Sequence, residues 1–201
     1  MNESMSKTRW QEACNAIPKL QTANLLLRPM GLQDSQAFFQ IFSDAETMRY
    51  WTGAPISEFS EAEALLQKEI DWLGSGQCIN WGVALPGSNT LIGKSTLFRY
   101  DEQNSHAEVG YILDRRYWGQ GYMSEVMACV LNYSFDELKL HRLEADSDPR
   151  NTASLALLER FGFQREGLFR ERWYVGAKWL VSVMLGLLRQ DYQGRMKQAE
   201  K

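Results

Sequence analysis

The run Glu108-Val109-Gly110-Tyr111-Ile112-Leu113, continued by Asp114-Arg115-Arg116-Tyr117-Trp118-Gly119-Gln120-Gly121-Tyr122-Met123, decides how the rest of this chain is read. Its first part alternates and favours extended backbone, which predicts a strand ending at Leu113. A helical pattern opens near Tyr122. Between the two lie two arginines and two glycines. Gly119 and Gly121 let the backbone bend tightly and approach a ligand with no Cβ in the way. The first amides of the following helix have no partner inside it, and the helix dipole puts partial positive charge there. With Arg115 and Arg116 alongside, the turn suits an anion such as a pyrophosphate. It is not a dinucleotide fingerprint, because Ser124 stands where a third glycine belongs, and the lysine of a Walker loop is absent.

Downstream of this turn the pattern predicts a helix over 123–135, a strand over 142–146 and a helix over 152–161. Strands over 163–172 and 179–188 follow. Upstream, strands over 80–85, 91–99 and 106–113 read as an antiparallel meander, with a turn at Pro86-Gly87-Ser88-Asn89. Earlier still, Leu25-Leu26-Leu27 is a strand stopped by Pro29. Asp34 caps a helix running to Phe42. Ser60 with Glu63 forms a capping box for a second helix, whose apolar positions are Ala64, Leu65, Ile70 and Trp72. The order implies an α+β domain with a mixed, mostly antiparallel sheet of about seven strands and four main helices. Its expected span is 21–192. Residues 1–20, with a short helix over 8–17, read as an N-terminal appendage, and 193–201 as a polar C-terminal tail.

Composition narrows the function. The chain has 201 residues, 44% of them hydrophobic, and a net charge of -3, so a sizeable core is available and no general affinity for nucleic acid or a membrane surface is expected. Cys14, Cys78 and Cys129 are far apart, odd in number and without metal-ligand spacing, and His106 and His141 are isolated, so neither a disulfide framework nor a metal site is expected. No signal peptide or membrane-length apolar run is visible, and the cytoplasm is the expected location.

Arg116-x-x-Gly119-x-Gly121 resembles the coenzyme A motif of Gcn5-related N-acetyltransferases. More narrowly, the chain is similar to the group containing the ribosomal-protein N-terminal (alanine/serine) acetyltransferases. The similarity rests on Leu25 to Pro29, Ala107 to Tyr111, His141 to Ala145, Asn151-x-x-Ser154, and Glu159 to Phe163 with Glu166-Gly167. It covers about 24–189. It implies a sheet splayed between the strand ending at Leu113 and the strand over 142–146, with the pantetheine arm of acetyl-CoA in the gap. Strand backbone at Ile112 and Leu113 would bind that arm. The backbone of Arg116, Tyr117, Trp118, Gly119, Gln120, Gly121, Tyr122 and Met123 would hold the pyrophosphate, and Asn151 and Ser154 would sit near the thioester. It further implies a monomer or homodimer whose acceptor is the amine of a protein N-terminus or a small molecule. An acetyl-CoA-binding sensor, or a degenerate acetyltransferase fold with a non-catalytic role, is the alternative.

Acetyl transfer to an amine requires loss of an amine proton and stabilisation of the departing thiolate. Alternation places Glu108, Gly110 and Ile112 on one strand face, so Glu108 is the leading base candidate, against a plain ion pair with an arginine. Glu144 is the second, against a structural bond to Arg142; Asp146 and Glu171 are weaker, and a water relay stays open. Many relatives of the resembled family return a proton to sulfur from a tyrosine where this chain has Leu158, which leaves Ser154 as the hydroxyl of that helix. Helix capping is the competing role for Asn151. Trp51 and Trp173 are candidates for an acceptor pocket. Where the group often has an aspartate before the last strand, this chain has Val181 beside Ser182.

Overall fold

The computed structural model describes residues 8–199. Helix α1 (Arg9–Asn15) starts on Thr8, whose hydroxyl accepts from the Gln11 amide while the Gln11 side chain accepts from the Thr8 amide. Reciprocal capping of this kind supports so short a helix. Trp10 and Cys14 are 2% and 0% exposed and belong to the main core. The Trp10 ring stacks on Tyr100 at 4.4 Å, and its Nε1 donates to Gly76 O at 2.8 Å. Trp10, Ala13 and Cys14, in the stretch expected as an appendage, thus pack into the core.

Strands β1 (Leu20–Gln21) and β2 (Leu26–Arg28) come next. Asp34 is the N-cap residue of α2 (Ser35–Ser43) but makes no side-chain cap bond. Its carboxylate instead takes both ends of the buried Arg28 guanidinium, at 2.7 and 2.8 Å, the stronger use of a carboxylate. Helix α3 (Phe59–Asp71) is capped by Glu58 and Glu61, two residues before the expected Ser60 and Glu63. Ala62, Leu66 and Glu69 face inward, and Ala64, expected among the apolar positions, is exposed.

The meander is β3 (Cys78–Ala84), β4 (Leu91–Asp101) and β5 (His106–Leu113). Then come α4 (Tyr122–Asn132) with a π-helical turn at Tyr133–Glu137, β6 (Arg142–Ser147), α5 (Thr152–Phe161), β7 (Gln164–Val175), β8 (Lys178–Leu188) and α6 (Arg189–Ala199). The last helix occupies most of the expected polar tail. Its Tyr192 is buried and donates to Asn132 Oδ1 at 2.7 Å.

The fold is α+β. Eight strands form one sheet in the order β1-β2-β3-β4-β5-β6-β8-β7, one more than expected because β1 has only two residues. Every neighbouring pair is antiparallel except β5 with β6. One face packs Trp81, Val109 and Leu113 against Val126, Met127 and Leu131 of α4 and Leu155 of α5. The other packs Ile112 against Phe38, Ile41 and Phe42 of α2 and Leu66 of α3. Burying one such side chain stabilises by about 1.5–3 kcal/mol, so β5 is held firmly from both sides. Its parallel partner leaves early. β5 and β6 pair only at His106↔Arg142, Ala107↔Leu143 and Glu108↔Glu144. Beyond Glu108, β5 runs on to Leu113 with open backbone on that side, which is the splay the resemblance implied.

Candidate active site

Gly119 and Gly121 have φ of 73° and 81°, the left-handed region that side chains with a Cβ rarely adopt. A Cβ on either would meet no atom within 4 Å. Glycine is thus demanded here by backbone conformation, and the space over the turn is open. The amides of Ser124 and Glu125 bond back to Gly121 O at 2.9 and 3.2 Å. Those of Gly121, Tyr122 and Met123 have no partner among the described residues, and α4 stands behind them. This is a cradle for an anion.

The two arginines behave differently from the expectation of free positive charge. Arg116 Nε lies 2.9 and 3.1 Å from the two Asp114 oxygens, its amide bonds Asp114 Oδ1, and Nη2 reaches Gln40. Arg115 pairs with Asp44 at 3.0 Å. Each brings its own counterion, so the cradle rests on backbone amides more than on guanidinium charge. Arg160 of α5, which sequence reading did not single out, donates to Ser124 Oγ at the start of α4.

A cavity of about 1170 Å³ runs from this turn through the gap between β5 and β6. Ile112, Leu113, Tyr117, Trp118, Gly119 and Gly121 line it, and so do Tyr122, Met123, Asn151 and Ser154. Arg116 and Gln120 are not part of its wall; Gln120 Nε2 bonds Arg116 O at 3.2 Å. Trp118 Nε1 donates to Leu113 O at 2.7 Å and ties the turn to the strand end.

Glu108 lines the same cavity where the strands part, and is 5% exposed. Arg99 Nη1 contacts its Oε2 at 2.6 Å. That contact depends on a bulge: β4 loses register between Phe98 and Asp101, and Arg99 sits at φ 53°. Such bulges re-aim a side chain. Burial pushes the Glu108 carboxyl above its usual range; Arg99 opposes this, and Asp146 and Glu144 add to it. Asp146 is also raised by burial, though Trp173 Nε1 donates to it at 3.1 Å and Arg172 lies 3.8 Å away. Glu144 bonds Arg142 at 3.0 Å and stays out of the cavity wall, as its structural reading requires. Trp51 and Trp173 both line the cavity.

At the start of α5, Asn151 Oδ1 accepts from the Ser154 amide at 3.2 Å, so Asn151 is a helix cap that also faces the cavity. The Ser154 and Tyr111 hydroxyls are 2.8 Å apart. Leu158, one turn further, is buried. Ser182, also in the wall, is 1% exposed, and its hydroxyl has no partner among the described residues. Cys78 reaches the wall two strands from the gap, and burial pushes its thiol up, which works against a thiolate nucleophile.

A family profile for the acetyltransferase (GNAT) domain matches residues 24–164. The chain belongs to the GNAT acetyltransferases. It is 34% identical over 175 residues to the uncharacterized N-acetyltransferase p20 of Bacillus licheniformis, covering 87% of this chain and 98% of that one. The fold also matches a spermidine N-acetyltransferase from Vibrio cholerae, solved with CoA and spermine, with a TM-score of 0.74, 24% identity and coverage of 86% and 99%. It matches a ribosomal-protein-S5-alanine acetyltransferase from Vibrio fischeri with a TM-score of 0.74, 20% identity and coverage of 87% and 98%. One GNAT fold thus carries a polyamine enzyme and a protein-modifying enzyme, and the fold alone does not choose the acceptor.

Proposed function

We propose that this GNAT chain transfers acetyl from acetyl-CoA to a primary amine, on a protein N-terminus or a small molecule, by direct attack with Glu108 as base. The observation that carries this reading is the early end of the β5–β6 pairing. It opens one continuous cavity from the free amides of Gly121 to Met123 to the buried carboxyl of Glu108. The amides would hold the pyrophosphate, the β5 backbone left unpaired beyond Glu108 the pantetheine, and Glu108 would accept a proton from the amine.

A carboxyl raised by burial is a better base at neutral pH than an exposed one. The raised Cys78 thiol argues against a covalent acetyl-enzyme. A sensor reading draws on Leu158, which has no proton to give, but Ser154 faces the cavity with a hydroxyl and keeps catalysis the better account. The deciding experiment is thiol release from acetyl-CoA against a panel of small amines, polyamines and N-terminal peptides. An acetyl-CoA-binding protein that none of them accelerates would leave the sensor reading.

A further inference from the structure

We propose that Tyr111 is a positioning residue for sulfur departure: its phenol donates to Ser154 Oγ and leaves the serine's own hydroxyl proton free to point into the cavity. The proposal rests on the acetyl-transfer reading above and gives a role to a residue that the motifs contained but assigned none.

The geometry starts from strand alternation. Tyr111 is three residues from Glu108, so the two side chains leave β5 on opposite faces. Tyr111 packs on the α4 and α5 side, whereas Glu108 shares the face of Ile112, which packs against α2 and α3. In a closed sheet they would address separate spaces. Here the strand that would divide them has gone, and both line one cavity. The proton acceptor and the hydroxyl pair thus approach it from opposite faces of β5.

Two hydroxyls 2.8 Å apart share one proton between them, and chemistry selects the donor. A phenol is the more acidic group, while the serine oxygen offers two lone pairs and one proton. Burial pushes the Tyr111 phenol to about 12, so it stays protonated through the neutral range. With the serine as donor, its only proton would be spent on the phenol, and the phenol proton would have no acceptor among the described residues. With the tyrosine as donor, the phenol proton is used within the pair and the serine proton is the one left for the bound sulfur. The tyrosine does not replace the proton donor that Leu158 cannot be; it orients the Ser154 hydroxyl of α5. Leu158 lies four residues after Ser154, on the same helix face, and supplies only hydrocarbon.

In the transfer, the amine lone pair forms the C–N bond and the C–S bond breaks with its electron pair going to sulfur. The nitrogen's proton passes to Glu108. The Ser154 hydroxyl donates a hydrogen bond to the sulfur as its negative charge develops, and Tyr111 holds that hydroxyl in line. Both hydroxyls keep their protons, because a thiol titrates near ~8.5, well below the phenol at about 12. The thiolate takes its proton from water after release. Hydrogen bonding that strengthens only as charge develops lowers the barrier without tightening ground-state binding.

The test compares wild type, Tyr111→Phe, Ser154→Ala and the double variant, all as the full chain. Calorimetry gives acetyl-CoA affinity, thermal melting gives stability, and thiol release is followed with the amine panel and with water alone as acceptor. Hydrolysis breaks the same C–S bond and needs no identified amine. Tyr111→Phe is expected to bind acetyl-CoA and melt like wild type, with KM unchanged and kcat lower by about tenfold, as for loss of one aligned hydrogen bond to a developing charge. The double variant is expected to be no slower than Ser154→Ala. Tyr111→Phe at the wild-type rate overturns the proposal, as does a double variant that loses the product of the two single effects. Should no amine accelerate release while hydrolysis persists, the amine reading fails, and the four proteins are still compared on hydrolysis. A wild type that releases thiol under neither condition overturns both.

Discussion

Arg99 donates to the Glu108 carboxylate at 2.6 Å from a bulge where its own backbone is left-handed. The same guanidinium lies over the Phe98 and Trp173 rings, at 5.5 and 5.6 Å. One strained residue thus holds the charge that sets how readily Glu108 ionises. Burial is the largest influence on the Glu108 pKa and raises it; Arg99 lowers it, and with Asp146 and Glu144 adding to burial the net shift is upward. Arg99→Gln should move the acidic limb of the kcat/KM profile upward, because only the raising influences remain. Activity near pH 7 should fall and recover as pH rises. A limb that stays put or moves down would show that Arg99 does not tune the base.

Glu108→Gln should lower kcat/KM by ~100-fold or more at neutral pH, with partial recovery at higher pH as more acceptor is already neutral. Acetyl-CoA affinity should be unchanged, since the cradle lies elsewhere. Stability should move the other way. The folded pKa of Glu108 lies above its ordinary 4.5, so the folded state binds more protons than the unfolded state between those two values. Stability therefore falls as pH rises through that window and stays lower above it. Glutamine carries no such penalty. The melting temperature of the variant should exceed that of wild type near pH 7, and the difference should shrink below the usual carboxylate range. A variant less stable than wild type at neutral pH would mean that the Arg99 pair outweighs burial.

Gly121→Val should abolish acetyl-CoA binding measured by calorimetry. Valine at φ 81° is strained by about 1–3 kcal/mol, and relief of that strain would turn the free amides away. Arg116→Ala should weaken binding less, because the guanidinium is already engaged by Asp114. Equal losses in the two variants would shift the site from backbone to side-chain charge.

Trp10→Ala should lower unfolding free energy by about 3–5 kcal/mol in urea titration, the usual range for emptying a buried tryptophan site. A loss under about 1 kcal/mol would restore the picture of residues 1–20 as a dispensable extension.

The parts legible in the sequence were those set by neighbours along the chain. Alternation placed β5, and the apolar spacing over 152–161 placed α5 (Thr152–Phe161), because both signals are local. The parts that escaped were set at a distance. Nothing near Trp10 announces that Tyr100 and Gly76 await it. Arg115 looked like free charge because its counterion, Asp44, lies far back in the chain, whereas the Asp114 that engages Arg116 was in plain view two residues earlier and was not weighed. Arg99 was invisible as a partner of Glu108, since an unbulged strand would aim it elsewhere. Ser154 was marked by its spacing from Asn151, whereas Tyr111, 43 residues away from it, acquires meaning only once the sheet opens between them.

The three residue pairs that join β5 to β6 have a mechanical consequence. Within the sheet, the five strands from β1 to β5 and the three from β6 to β8 meet along a seam little longer than a hairpin turn. A molecule lying in the gap and bonding both sides acts as a strut across that seam. Occupancy should therefore be felt far from the chemistry. Amide exchange in β6 and in β5 beyond Glu108 should slow together when acetyl-CoA is added. At a hundredfold excess over Kd, a ligand binding only the folded chain adds about 2.7 kcal/mol. Most of that gain should appear as resistance of the seam to opening.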